Sequence, residues 1–255
     1  MPWQLSFDTN TGAVGVSSGA PSGTYGFTYQ ICKSDEPGNC DNATVSVTLT
    51  NNGSNTAPPL VCPAGSAKLN WDAVSWAAGS LSNSYSVAGV GLDFAFSGNT
   101  ADLDDPFISP PDSPNLNNEE TGGLPSPENS LYTKINHDNN SQFLDLQIDL
   151  GASGIGVGGA QFTLFDLDAS SPSYIDQVTV SASLGGTPVS GVTLSGGSAV
   201  SIAGSVATGV YSVSDNAEGN LTITVTEAVD RITLRYGNAA GTQSNPGEQI
   251  LTYHD

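Results

Sequence analysis

FTLFDLDASSPSYIDQVTV, residues Phe162 to Val180, places two alternating runs on either side of a Ser/Pro turn. Phe162, Leu164 and Asp166 share one face of the first run, and Asp176, Val178 and Val180 share one face of the second, the period of two that marks strands. With the apolar members facing a core, Asp166 and Asp176 fall where the strands enter the turn, and Asp168 lies beside them. Carboxylates crowded at a sheet end repel one another unless a cation or a hydrogen-bond network offsets the charge. An all-oxygen ligand set suits Ca2+, which makes Asp166, Asp168 and Asp176 a candidate metal site. The same residues can instead cap the turn by accepting backbone N–H groups, and the sequence leaves both open.

Outward from that stretch, short alternating runs rich in Thr, Ser and Val recur, with Gly 30, Pro 15 and only 12% charged residues. No window carries a helical stripe, so the expected class is all-β. The 255 residues suffice for one large sandwich or two domains, each with its own core. Asp+Glu 25 against Lys+Arg 5 gives a net charge of -20, which repels a phosphate backbone and excludes nucleic acid as a partner. Such an excess destabilises a compact state unless cations screen or ligate it. Calcium is therefore the expected cofactor. No run approaches the roughly 18 to 20 apolar residues of a membrane span. The segment MPWQLSFD lacks the charged and apolar regions of a signal peptide. Met1 is read as an added start, with any secretion signal upstream of it.

Residues 1 to 50 hold four short strands, around Leu5 to Phe7, Val14 to Val16, Tyr25 to Cys32 and Ala43 to Thr50, joined by turns containing Asn10-Thr-Gly12, Pro21-Ser-Gly23 and Glu36-Pro-Gly38. Cys32 and Cys40 flank one of these connections. A disulfide across that hairpin would contribute about 2 to 3 kcal/mol and place the chain in an oxidising compartment; two reduced thiols are the other reading.

Tyr29-Gln-Ile-Cys32 and Asn39-Cys-Asp41, with the strands around them, resemble the final half of an immunoglobulin-like repeat of large bacterial surface proteins. A full sandwich of that type has about seven strands, so the resemblance implies a partial unit of residues 1–52 that must pack on something or accept strands from another molecule. The polar stretch through residues 53–61, which contains Pro58-Pro59, reads as a linker.

From Cys62, the opening segment with Trp71 and Trp76, then FTLFDLD, Asp-Gln-Val-Thr-Val and Val229-Asp-Arg-Ile-Thr-Leu-Arg-Tyr236-Gly-Asn238, is similar to a domain of secreted bacterial proteins. That resemblance implies a jelly-roll-like antiparallel β-sandwich over residues 62–255, in surface-exposed, adhesive or matrix proteins of no single activity. Residues 101 to 130 interrupt the strand pattern with seven acidic residues and six prolines. A mobile insertion and a second cation site at Asp102, Asp104 and Asp105 are the two readings. Further strands are expected near Ser141 to Leu150, Val189 to Leu194, Val200 to Ile202, Val210 to Val213, Leu221 to Val225, Ile232 to Tyr236 and Gln249 to Tyr253. Asp215-Asn-Ala-Glu-Gly-Asn220 is a turn that could ligate a cation.

Other motifs carry less. Gly154-Ile-Gly156-Val-Gly-Gly159 fits the dinucleotide fingerprint, but a β-run follows it instead of a helix. Gly15-Val-Ser17-Ser-Gly19 fits a nucleophile elbow without its helix, and His137 and His254 are the only histidines. Many carboxylates are present, yet none is singled out as a glycosidase pair. Asn42, Asn52, Asn139 and Asn220 fit a glycosylation pattern that an Asn/Ser/Thr-rich chain produces by chance. Lys68 and Lys134 are candidates for a Lys–Asn cross-link of the kind found in some bacterial surface sandwiches, with ordinary surface lysines as the default. Together these readings give a secreted, non-enzymatic bacterial cell-surface protein, structural or adhesive, Ca2+-stabilised and assembling head to tail with itself. The alternative is a Ca2+-dependent carbohydrate-binding module for surface glycans, with Trp71, Trp76 or Tyr132 stacking on sugar.

Overall fold

The computed structural model describes residues 5–7, 14–16, 23–33, 38–49, 66–103, 112–152, 154–211, 213 and 215–255. Two compact units divide the chain, Met1–Ser54 and Asn55–Asp255.

In the first unit, Leu5–Phe7 pairs antiparallel with Val14–Val16, and Gly23–Cys32 pairs antiparallel with Cys40–Leu49. Cys32 and Cys40 are register partners and are joined by a disulfide. Alternation puts Tyr25, Phe27 and Tyr29 on one face of the longer hairpin. The Phe7 ring lies 5.3 Å from both Phe27 and Tyr29, and Phe27 is buried. The shorter hairpin thus covers part of the aromatic face that the sequence pattern leaves bare.

The second unit holds two antiparallel sheets. One has six strands in the spatial order Val192–Gly196, Leu221–Val225, Ala160–Phe165, Gln249–His254, Ser130–Ile135 and Asn115–Asn117. The other runs Val200–Ala203, Val206–Gly209, Tyr174–Leu184, Arg231–Asn238, Phe143–Leu150, Val90–Gly98 and Ser82–Val87; the two-residue strands Ala169–Ser170 and Thr187–Pro188 pair with Tyr174–Leu184. Phe143–Leu150 shows why these sequences form sandwich strands. Leu144, Leu146, Ile148 and Leu150 are buried while the residues between them are half-buried, the period of two that a one-sided sheet requires. They share one apolar cluster with Leu131, Leu164, Leu221, Ile223 and Leu251 of the six-stranded sheet, so the two sheets pack face to face as a β-sandwich. Each such side chain contributes about 1.5–3 kcal/mol of burial.

Trp71 and Trp76 belong to the same cluster, edge-on to Phe94 at 5.5 and 6.3 Å. On the outer face of the larger sheet, register partners Arg235 and Asp145, and Arg231 and Asp149, form two-point ion pairs, with Arg235 stacked 3.8 Å over the Phe143 ring. Exposed pairs of this kind are worth about 1 kcal/mol or less each.

Several sequence expectations shift. The strand expected at Val210 to Val213 lies instead at Val206–Gly209, and the one near Val189 at Val192–Gly196. The acidic insertion is not strandless, since Asn115–Asn117 forms an edge strand beside Ser130–Ile135. The Gly154–Gly159 segment leads into a strand of the six-stranded sheet, so no helix N-terminus exists there for a pyrophosphate.

Candidate metal centre at the sheet-to-sheet corner

The two runs of Phe162–Val180 do not pair with each other. Ala160–Phe165 lies in the six-stranded sheet and Tyr174–Leu184 in the nine-stranded one, so residues 166–173 form a corner that carries the chain between layers. Asp166 makes the turn out of the strand in the left-handed region, at φ +65°, which Asp and Asn tolerate better than other side chains. Ala169 and Ser170 then pair with Ile175 and Tyr174 around the cis Ser171–Pro172 peptide.

This corner gathers carboxylates. The Asp176 backbone N–H donates to the Asp168 carbonyl at 3.0 Å, and the Asp168 N–H donates to Asp176 Oδ2 at 3.3 Å. Both aspartates are buried, at 3% and 1% exposure. The Val213 N–H donates to Asp168 Oδ2 at 3.0 Å, and the Tyr236 hydroxyl and Gln249 amide donate to Asp176 Oδ1. Across the corner, Asp215 accepts from the backbone and hydroxyl of Thr121 and from the Gly122 N–H, which fixes the segment carrying Glu120. Two glycines allow the close approach. A Cβ on Gly209 would sit 1.9 Å from the Asp168 carbonyl oxygen, and one on Gly122, at φ +57°, would enter the Phe165 ring.

The electrostatics follow from this crowding. Burial first, then Glu120, Asp168, Asp176 and Asp215, pushes the Asp166 carboxyl up from 3.8 to about 9. Burial, then Asp215, Glu119 and Asp168, pushes Glu120 up from 4.5 to about 7. Asp176 is raised well above its usual range by burial, against the opposing bonds from Gln249, Asp168 and Tyr236. Glu120 Oε2 is buried without a hydrogen-bond partner. The lysines and arginines of the second unit are engaged elsewhere: Lys68 with Asp255, Lys134 with Glu248, Arg231 with Asp149 and Arg235 with Asp145. The corner therefore holds five carboxylates, Glu120, Asp166, Asp168, Asp176 and Asp215, in one mutually repelling group. Protons or a hard divalent cation are the two species that relieve such a group.

The structure thus brings together Asp166, Asp168 and Asp176, and adds Glu120 and Asp215, which the alternating pattern did not pick out. Their signals were present separately: Glu120 in the acidic insertion, Asp215 in a turn with cation-ligating residue types. The remaining candidates lie elsewhere. The Asp102 carboxylate accepts from His137 at 2.8 Å and is committed there, while Asp104 and Asp105 lie outside the described residues. Trp71, Trp76 and Tyr132 are buried at 3%, 7% and 0% exposure, which corrects their assignment as ligand-stacking residues: their hydrophobic bodies fill the protein interior and present no ring face to solvent. Lys68 and Lys134 are in ion pairs with carboxylates, Asp255 at 2.9 Å and Glu248 at 3.2 Å.

Fold and site together define an all-β protein whose larger unit is an antiparallel β-sandwich with a carboxylate-rich corner. No family model matches the chain, and no curated protein matches it. Among solved structures, one described as the structural basis for the promiscuous specificity of carbohydrate-binding modules of the β-sandwich superfamily superposes with a TM-score of 0.35 and 12% identity, covering 98% of this chain and 83% of its own.

Proposed function

We propose that the protein is a non-enzymatic, secreted structural or adhesive module of a bacterial surface whose sandwich is held in its working state by Ca2+ at the sheet-to-sheet corner. The observation that carries this reading is the five-carboxylate group, in which burial first and mutual repulsion second raise Asp166 to about 9 and Glu120 to about 7. Glu120, Asp166 and Asp168 are the ligands we assign first, with Asp176 and Asp215 completing the charge; their oxygens do not converge within 4.8 Å in this structure, so binding would have to draw them together. An all-oxygen site fits Ca2+ at the millimolar levels of an extracellular setting, where modules bind with dissociation constants of about 10⁻⁴–10⁻³ M. The Cys32–Cys40 pair fits the same oxidising compartment. Thermal unfolding of the full chain in EDTA and in about 5 mM Ca2+ tests this, the concentration lying well above that range. A rise in Tm with Ca2+ that Mg2+ does not reproduce supports the reading, and identical melts refute it.

The adhesive or fibrous role rests on the first unit. Among the described residues, Gly23–Cys32 and Cys40–Leu49 form a sheet of two strands, so each is an edge strand. Edges ten residues long are templates for a strand from another copy, and a head-to-tail contact of that kind propagates. Sedimentation velocity should show large species in Ca2+; a single monomer at all concentrations would refute assembly. The carbohydrate-binding alternative now turns on Tyr211. Its carbonyl accepts from the Ala169 N–H beside Asp168, and the residue is 43% exposed, with its hydroxyl 2.9 Å from Ser198 Oγ. Glycan binding that requires both Ca2+ and Tyr211 would favour that alternative.

A further inference from the structure

Away from the corner, Glu128, His254 and Asp255 each offer one ligand atom, and these atoms lie within 4.8 Å of one another. His254 is nearly buried, stacked 4.8 Å from the Phe165 ring. Its Nδ1 lies 3.0 Å from Ser130 Oγ. In the tautomer whose Nδ1–H donates to that hydroxyl, Nε2 presents its lone pair to two carboxylate oxygens, Asp255 Oδ1 at 3.6 Å and Glu128 Oε2 at 3.9 Å. A lone pair facing two anions is repulsive, and the separations are too long for hydrogen bonds. They are close to the spacing of about 3.3 Å that tetrahedral ligands adopt around a metal at about 2.0–2.1 Å.

Two of the three ligands, His254 and Asp255, are also held by neighbours. Ser130 is fully buried, so its hydroxyl holds the imidazole and does not face a substrate. Lys68 Nζ is 2.9 Å from Asp255 Oδ2, which leaves Oδ1 turned toward the histidine, and the same ammonium is 3.8 Å from Glu128 Oε2, so a metal would share that oxygen with it. Partners of this kind fix the ring and carboxylate geometry in metal centres.

We infer that Glu128 Oε2, His254 Nε2 and Asp255 Oδ1 form a second metal site, distinct in chemistry from the acidic corner and selective for a first-row divalent transition ion, Zn2+ foremost. One nitrogen and two carboxylate oxygens form a borderline set that hard Ca2+ does not prefer. Three protein ligands leave a further coordination position, and Glu128, with its side chain 43% exposed, lies on the solvent side of the site.

Titration of the metal-free full chain with Zn2+, and with Co2+ as a visible-absorbing reporter, tests the site. One Zn2+ per chain is expected, unaffected by excess Ca2+ and by Asp166→Asn, which separates it from the corner. Glu128→Gln should weaken binding at least about 10-fold, and because that side chain is partly exposed the variant keeps its core. His254→Gln should abolish the Co2+ d–d bands. Absence of saturable Zn2+ binding would overturn the inference. So would a Zn2+ affinity unchanged by both Glu128→Gln and His254→Gln, or one abolished by Asp166→Asn.

Discussion

Replacing Asp166 by asparagine removes one charge from the corner while preserving its backbone, because asparagine accepts the same left-handed conformation. The folded carboxyl titrates at about 9 against an ordinary 3.8. A raised carboxylate contributes stability that is complete below the ordinary value and is lost as the pH climbs toward the folded one. Between about pH 4 and about pH 8 the chain crosses about four units, which at ~1.36 kcal/mol per unit sets a ceiling of about 5 kcal/mol on the metal-free protein's loss. Asp166 is coupled to Glu120, Asp168, Asp176 and Asp215, so the change is shared among the group and a loss of about 2–3 kcal/mol is the working expectation. For a unit of this size that is a fall in Tm of about 5–10 °C. Calorimetric scans in EDTA should show it in the wild type between about pH 5 and about pH 8. Asp166→Asn should flatten the slope, leaving the portions due to Glu120, below about 7, and to Asp176. Ca2+ competes with the protons, so it should stabilise the wild type more at the higher pH and the variant less throughout. A wild-type Tm in EDTA that is constant or rises over this interval, or a variant with the wild-type slope, would refute the electrostatic reasoning.

Other consequences are simpler to check. Tyr236→Phe removes a hydroxyl that donates to the buried Asp176 carboxylate at 3.0 Å, and urea unfolding should show a loss of about 1.5–3 kcal/mol. Trp71→Ala should cost about 3–5 kcal/mol in the same assay, because the ring is buried against Phe94 and Tyr85; a change under 1 kcal/mol would contradict its core placement. Reduction of Cys32–Cys40, or Cys32→Ser, should lower the stability of the first unit by about 2–3 kcal/mol, seen as an earlier shift of its own transition with the sandwich transition unmoved. Arg235→Ala should lower stability by about 1 kcal/mol or less, since its ion pair with Asp145 is exposed.

The class of fold was legible because the signal is local. Alternation in Phe143–Leu150 and in Tyr174–Leu184 announces strands with one buried face, and those strands are where the pattern puts them. What alternation does not encode is which strand joins which sheet. Phe162–Leu164 and Val178–Val180 look like the arms of one hairpin, yet they lie in opposite layers, since a short Ser/Pro link serves a corner as well as a turn. The same limit governs the site. Asp166, Asp168 and Asp176 are neighbours in sequence and could be grouped by reading alone. Glu120 and Asp215 arrive from segments about 46 and about 49 residues away, and only long-range packing around Gly122 and Gly209 brings them in. Trp71, Trp76 and Tyr132 were misplaced because an aromatic in a turn-rich segment has the same sequence signature whether it plugs a core or lines a cleft.

Calorimetric titration of Ca2+ into the chelator-stripped full chain at about pH 8, where metal competes with the raised carboxyl protons, bears most directly on the calcium-stabilised corner. Saturable binding with proton release is expected, weakened at least about 10-fold in Asp166→Asn and in Glu120→Gln. No saturable heat up to about 10 mM Ca2+, or isotherms that both substitutions leave unchanged, would contradict it.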